Sequence, residues 1–388
     1  MKTSAGPDIL RFLPPKTGWK RNQFNIKPYL VGKPTEELAK DLGLAAPVIH
    51  LNSNENPLGP SPRALAALHQ TATRVNFYPD DTCYYLIKSL AAELGVTENE
   101  IIISNGSAEI IDFIARCFVN PGDEVIMADQ TFIVYPVVTA LAQGKIITVP
   151  LKNFRHNLEM MAEAITPKTK VIFIANPNNP TGTISTAEEM GRFMKRVPES
   201  VLVVFDEAYY EYVRSRDYPR TLPYLKSNCQ VIILRTFSKI YGLAGLRVGY
   251  GLARPDIINR LKRVHLTFNV NRLAQNSALA ALKDRQHLNK SIKTNETGKK
   301  FLYAQFKKLA LPYVPTETNF IFLPVGPKGQ DMALSLLKYG ILVRYLPTPD
   351  VSRSGIRITI GTMTQNKKLV NALKKVLCHS ERSEESQL

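Results

Sequence analysis

A chain of 388 residues, 44% apolar and 21% charged, has ample material for a sizeable core, and its length fits two domains or one large domain with an appendage. Fifty Lys and Arg against 33 Asp and Glu leave a formal charge of +17, which invites nucleic acid, a membrane surface or an acidic ligand as partner. Cys83, Cys117, Cys229 and Cys378 lie far apart with no paired spacing, so neither a disulfide scaffold nor a metal site is suggested and a reducing cytoplasm fits best. No apolar run reaches signal-peptide length or the ~18–20 residues that span a bilayer, so the protein reads as soluble and unexported.

Residues before about 60 are rich in turn formers, among them Pro14, Pro15, Pro28, Pro34, Pro57 and Pro60, and read as an arm followed by a loop. From Glu100 onward, short β-branched runs alternate with helical segments. The predicted strands are Ile101–Ser104, Glu124–Met127, Lys145–Val149, Lys170–Ala175, Val201–Phe205, Gln230–Leu234 and Arg247–Gly251. Amphipathic stretches such as Glu109–Phe118 and Ala187–Arg196 separate them, which argues for a mostly parallel seven-stranded sheet covered by helices. After about residue 285 the pattern changes to helix, strand, helix, as expected of a smaller domain. The last ten residues, His379 to Leu388, are polar with little to bury and are expected to be disordered.

The charge is uneven. Residues 253–308 hold 13 Lys or Arg against Asp256, Asp284 and Glu296, which is +10 of the +17. Leu261, Val264, Phe268, Leu279, Leu282, Phe301 and Phe306 recur there at roughly helical spacing, so the stretch reads as surface helices with solvated basic faces rather than a nucleic-acid groove.

Three polar clusters follow predicted strands directly: Asn176-Pro-Asn-Asn-Pro-Thr-Gly182, Asp206-Glu-Ala-Tyr209 and Thr236-Phe-Ser-Lys239. Ligands of such sheets bind beyond the carboxyl ends of the strands. An acid ending a strand, a lysine flanked by hydroxyls and Arg247 eight residues later are what is needed to hold a phosphorylated, protonatable aromatic cofactor through a Schiff base. That description fits pyridoxal 5′-phosphate.

With these clusters in view, the sequence resembles the fold-type I, class I/II aminotransferases, and within them the histidinol-phosphate aminotransferase family. The matching stretches are Lys27 to Pro34, Asn54-Glu-Asn-Pro-Leu-Gly59, Tyr78-Pro-Asp80, Arg235 through Tyr250 and Gly355 through Thr362. The resemblance implies an α/β fold with a large cofactor domain and a smaller α/β domain built from both chain ends. The expected divisions are an N-terminal extension (1–25), an arm with the first part of the small domain (26–60), the large domain (61–284), the small domain (285–378) and the tail (379–388).

It also implies roles. Lys239 matches the Schiff-base lysine and proton carrier, Asp206 the partner of the pyridine nitrogen, and Asn179 and Tyr209 the pair that hydrogen-bonds the phenolic oxygen. Phe132 aligns with the aromatic that stacks on the ring. The backbone amides of Ser107 and Ala108, with Ser238, Arg247 and Thr236, are the expected phosphate ligands, joined by Tyr78 from a neighbouring subunit in a homodimer with shared sites. Many relatives carry Asp or Asn where Ala108 stands, so a side-chain contact is missing there. Arg357 matches the carboxylate-gripping arginine, while Arg344 and the neighbouring subunit's Tyr29 resemble the residues that take the substrate's distal phosphate.

The expected reaction is interconversion of histidinol phosphate plus 2-oxoglutarate with imidazole-acetol phosphate plus glutamate. An aromatic aminotransferase and a threonine-phosphate decarboxylase are the alternatives that keep the cofactor. A basic nucleic-acid binder on a relic fold fits poorly, since Lys239, Asp206, Asn179, Tyr209 and Arg247 all persist.

Overall fold

The computed structural model describes residues 37, 40, 41, 43, 47–227, 229–348 and 350–385. Tyr29, the 1–25 extension and about half of the expected 26–60 segment lie outside the described residues. In chain order the strands are β1 (Ile49–His50), β2 (Ile101–Ser104), β3 (Glu124–Ala128), β4 (Lys145–Val149), β5 (Thr169–Ala175), β6 (Leu202–Asp206), β7 (Gln230–Thr236), β8 (Gly249–Ala253), β9 (Phe320–Leu323), β10 (Ile341–Leu342), β11 (Arg344–Leu346) and β12 (Gly355–Thr359).

Seven of them form one sheet in the order β2-β8-β7-β6-β5-β3-β4. β3 to β7 run parallel, and β8 is antiparallel to both its neighbours. The alternation of side chains along a strand builds a core on each face. On β6, Val203 and Phe205 belong to one apolar cluster and Leu202 and Val204 to the other. The edge strand β4 departs from the expectation of burial on both faces: Lys145 and Ile146 are exposed, as suits a strand with a neighbour on one side only.

A second sheet, β11-β12-β9, is antiparallel, and β1 pairs with β10 in a two-stranded parallel ribbon. Their core joins Leu51 to Leu302, Phe306, Ile321, Ile356, Ile358 and Leu373, so residues from near both ends of the described chain close one apolar cluster. A bidentate ion pair ties this part to the large sheet: Arg353, just before β12, reaches Asp129, just after β3, at 2.6 and 3.2 Å.

The basic stretch folds as helices Pro255–Leu261, Arg272–Leu282 and Arg285–Lys308, which bury residues such as Ile258, Ala278 and Phe306. Phe268 differs from the helical expectation: it sits in a turn with φ of +58° and is exposed. A second difference lies at the C-terminal end, where the helix Met363–Glu385 runs through most of the segment expected to be disordered. Extending a helix already nucleated by buried residues such as Leu369 and Leu373 needs no new nucleation, so a polar continuation with little to bury can still be helical.

Candidate active site

The three polar clusters meet at the carboxyl edge of the parallel strands. Asp206 is the last residue of β6 and Thr236 the last of β7, while Asn176 follows β5 directly. Between β7 and β8 the chain folds back on itself: Phe237 N–H bonds to Val248 O, Leu243 N–H to Phe237 O and Gly242 N–H to Lys239 O. Lys239 is presented from this loop and its Nζ donates to Ser53 O at 3.1 Å. Enclosure of the amine pushes its pKa down to about 8, with the Arg357 guanidinium adding to the shift and Glu55 opposing it.

Asp206 is only 5% exposed, and burial raises its carboxyl above the usual range. Two donors oppose that shift, the Tyr135 hydroxyl on Oδ2 at 2.7 Å and the Ala208 N–H on Oδ1 at 3.1 Å. Tyr209 accepts from Asn54 Nδ2 at 2.9 Å, and burial pushes its phenol up to about 12, so it keeps its proton at neutral pH. Asn179 Oδ1 accepts from Arg357 Nη1 at 2.5 Å, which leaves the Asn179 Nδ2 as a donor. Arg357 also donates through Nη2 to Asn52 O at 2.7 Å, and its guanidinium lies 5.4 Å from the Phe320 ring centroid.

Arg344 and Arg357 are directly paired across β11 and β12, so the two arginines share one face of the small sheet. Phe132 is half-buried and meets Tyr135 edge-on at 5.7 Å. Tyr78 lies outside this cluster: it is 77% exposed and stacks on Phe268 with centroids 4.6 Å apart.

A cradle for an anion lies where β2 turns into the helix Ser107–Phe118. Gly106 caps this helix with φ of +84°, and the first-turn amides, including those of Ser107 and Ala108, have no carbonyl of the preceding turn to bond. Arg247 crosses directly over Gly106, so a Cβ there would stand 2.5 Å from Nη2. The same guanidinium donates to Ser238 Oγ at 3.3 Å and to Ala244 O at 3.0 Å. Thr236 Oγ1 accepts from the Ser238 N–H at 3.0 Å and shapes the turn. A cradle of amides, a hydroxyl and a guanidinium, with a buried acid and a lysine of lowered pKa nearby, fits pyridoxal phosphate in its phosphate, ring nitrogen and aldehyde respectively.

The model of the aminotransferase class I and II family matches residues 46–373. The chain belongs to this family, in its histidinol-phosphate aminotransferase group. The aminotransferase is 51% identical over 356 residues to histidinol-phosphate aminotransferase of Moorella thermoacetica, with 91% of each chain covered. It is 42% identical to histidinol-phosphate aminotransferase 2 of Carboxydothermus hydrogenoformans, covering 91% of this chain and 97% of that one. Among solved structures, histidinol-phosphate aminotransferase of Sinorhizobium meliloti in complex with pyridoxal 5′-phosphate superposes with a TM-score of 0.85 at 28% identity, covering 93% of this chain and 98% of that one. The fold is thus that of the fold-type I aminotransferases, an α/β architecture on a mostly parallel seven-stranded sheet. No helix among the described residues is long and apolar enough to cross a membrane.

Two side chains of this aminotransferase site were not among the residues singled out from sequence. Asn54 holds Tyr209 from a left-handed backbone conformation with φ of +57°, and its place in the Asn54-Glu-Asn56 match was the available signal. Tyr135, in the first turn of the helix Val134–Leu141, carries no such signal; locally it is one more aromatic in an apolar run.

Proposed function

We propose that this chain is a pyridoxal 5′-phosphate-dependent histidinol-phosphate aminotransferase, interconverting histidinol phosphate and 2-oxoglutarate with imidazole-acetol phosphate and glutamate. The observation that carries the reading is the pairing of Arg344 with Arg357 beside the Lys239–Asp206–Tyr209 cluster, because it supplies two cations for substrates that bear a carboxylate or a phosphate.

Pyridoxal phosphate, when bound, supplies a protonated ring that takes up the electron pair left at the substrate Cα. Asp206 holds the ring nitrogen, and Tyr209 Oη with Asn179 Nδ2 donates to the phenolic oxygen. Ser107 and Ala108 amides, Ser238 and Arg247 hold the phosphate, with Thr236 shaping the turn beneath, and Phe132 covers the ring. Lys239 Nζ, neutral in an appreciable fraction near pH 7 because its pKa is about 8, anchors the cofactor and then takes the proton from the substrate Cα. Arg357 grips the glutamate carboxylate, while with histidinol phosphate, which has none, Arg344 and Arg357 meet the phosphate. Tyr29 from a partner subunit is assigned to that phosphate as well.

The exposure of Val75, Phe77, Tyr78, Leu266 and Phe268, with Tyr78 stacked on Phe268, supports a homodimer in which Tyr78 completes the neighbouring phosphate site. A panel of donors tests the substrate: histidinol phosphate should give the highest kcat/KM with 2-oxoglutarate, above phenylalanine and with no carbon dioxide released. A preference for phenylalanine, or decarboxylation of threonine phosphate, would refute the assignment.

A further inference from the structure

Asp206 is a buried acid whose ionisation has to be sustained against desolvation, and the residue best placed to sustain it is Tyr135. The tyrosine is fully buried, with its ring stacked on Phe173 at 4.4 Å and 6° and set edge-on to Phe132 at 5.7 Å. Thr139 Oγ1 donates to its carbonyl at 2.8 Å. With the ring fixed on two sides, the hydroxyl reaches Asp206 Oδ2 at 2.7 Å across 71 residues of sequence. A phenol has one proton to give, and an ionised carboxylate only accepts, so the donor in this pair is Tyr135. Ala208 N–H occupies the other oxygen, Oδ1. The carboxylate is therefore turned by one donor on each oxygen.

We propose that Tyr135 is a positioning residue for the cofactor: its hydroxyl fixes the Asp206 carboxylate that pairs with the ring nitrogen, while its ring backs Phe132, the side chain assigned to the ring face. The assignment rests on the reading of this site as a pyridoxal phosphate site. Tyr135 acts through Asp206 and Phe132 and takes part in no proton transfer itself.

Tyr135→Phe keeps both ring contacts and removes only the hydroxyl. Equilibrium dialysis of the cofactor-free protein measures the dissociation constants of pyridoxal 5′-phosphate and of its 1-deaza analogue, in which C–H replaces the ring nitrogen. The expected result is about a tenfold loss of affinity for pyridoxal phosphate, the scale of one hydrogen bond to a buried charge, with affinity for the analogue unchanged. In an Asp206→Asn background, adding Tyr135→Phe should cost nothing further. Unchanged pyridoxal phosphate binding in Tyr135→Phe, or an equal loss for both ligands, would overturn the proposal and leave the site reading standing. Failure of the unsubstituted protein to bind pyridoxal phosphate would overturn the site reading and the proposal together.

Discussion

Lys239 must be neutral to react with an aldehyde, and its amine is held at about pH 8 by enclosure and by Arg357. The rate of cofactor uptake by the apo-protein, followed by visible absorbance, should therefore climb with pH and level off above about 8. A lysine at its ordinary value would still be gaining rate near pH 10. Lys239→Ala should remove the anchor and the proton carrier together and lower kcat by about 10³-fold or more in steady-state assays. Arg357→Lys replaces a planar fork by a point charge, and the KM for glutamate should rise about 10- to 100-fold. Lys239, Asp206, Asn179 and Tyr209 were legible as candidates because each belongs to a polar cluster directly after an apolar strand. Tyr135 was not, because what marks it is a partner 71 residues away, which no local pattern carries, and Asn54 was legible only as part of a matching stretch, its role being set by Tyr209 155 residues on.

At the scale of elements, the end of β6 carries one acid, Asp206, and the residue after it a second, Glu207, with different surroundings. Asp206 turns to Tyr135, whereas Glu207, fully buried, pairs with Arg235 on β7 at 2.9 Å and accepts from Thr221 Oγ1 at 2.6 Å. The Arg235 guanidinium also lies 3.7 Å from the Tyr210 ring centroid. Arg235→Met would leave Glu207 as an uncompensated buried charge, so denaturant unfolding should show a loss of about 3–5 kcal/mol; Arg235→Met with Glu207→Leu should recover much of it. All seven strands of the large sheet were anticipated, six of them from short β-branched runs, whereas β8, Gly-Tyr-Gly-Leu-Ala, has no β-branched residue. The least accurate boundary was β8, expected at Arg247–Gly251 and found at Gly249–Ala253. Arg247 there adopts φ of +56°, a left-handed conformation that keeps it out of the strand and over Gly106. The left-handed turn at Arg247 therefore sets where β8 begins.

For the whole molecule, the proposed dimer has a direct consequence. Sedimentation should give twice the 43.5 kDa chain mass, and mixed dimers of Lys239→Ala with Tyr78→Ala chains should regain activity. Random pairing at equal amounts makes half the dimers mixed, each with one intact site of two, so about a quarter of normal activity should return. Two inactive parents giving an inactive mixture would argue against sharing. The +17 charge belongs at this scale too: its main concentration lies along the outer faces of helices, apart from Arg247, Arg344 and Arg357. The order of strands in the large sheet bears on synthesis. β2, made first of the seven, pairs only with β8, made last, and Leu51 waits for residues beyond 300 to close its core. The large sheet can therefore be completed only once Ala253 has been made, and the second sheet only once Thr359 has, so the nascent chain presents β2 without its partner strand while residues 105–248 are synthesised.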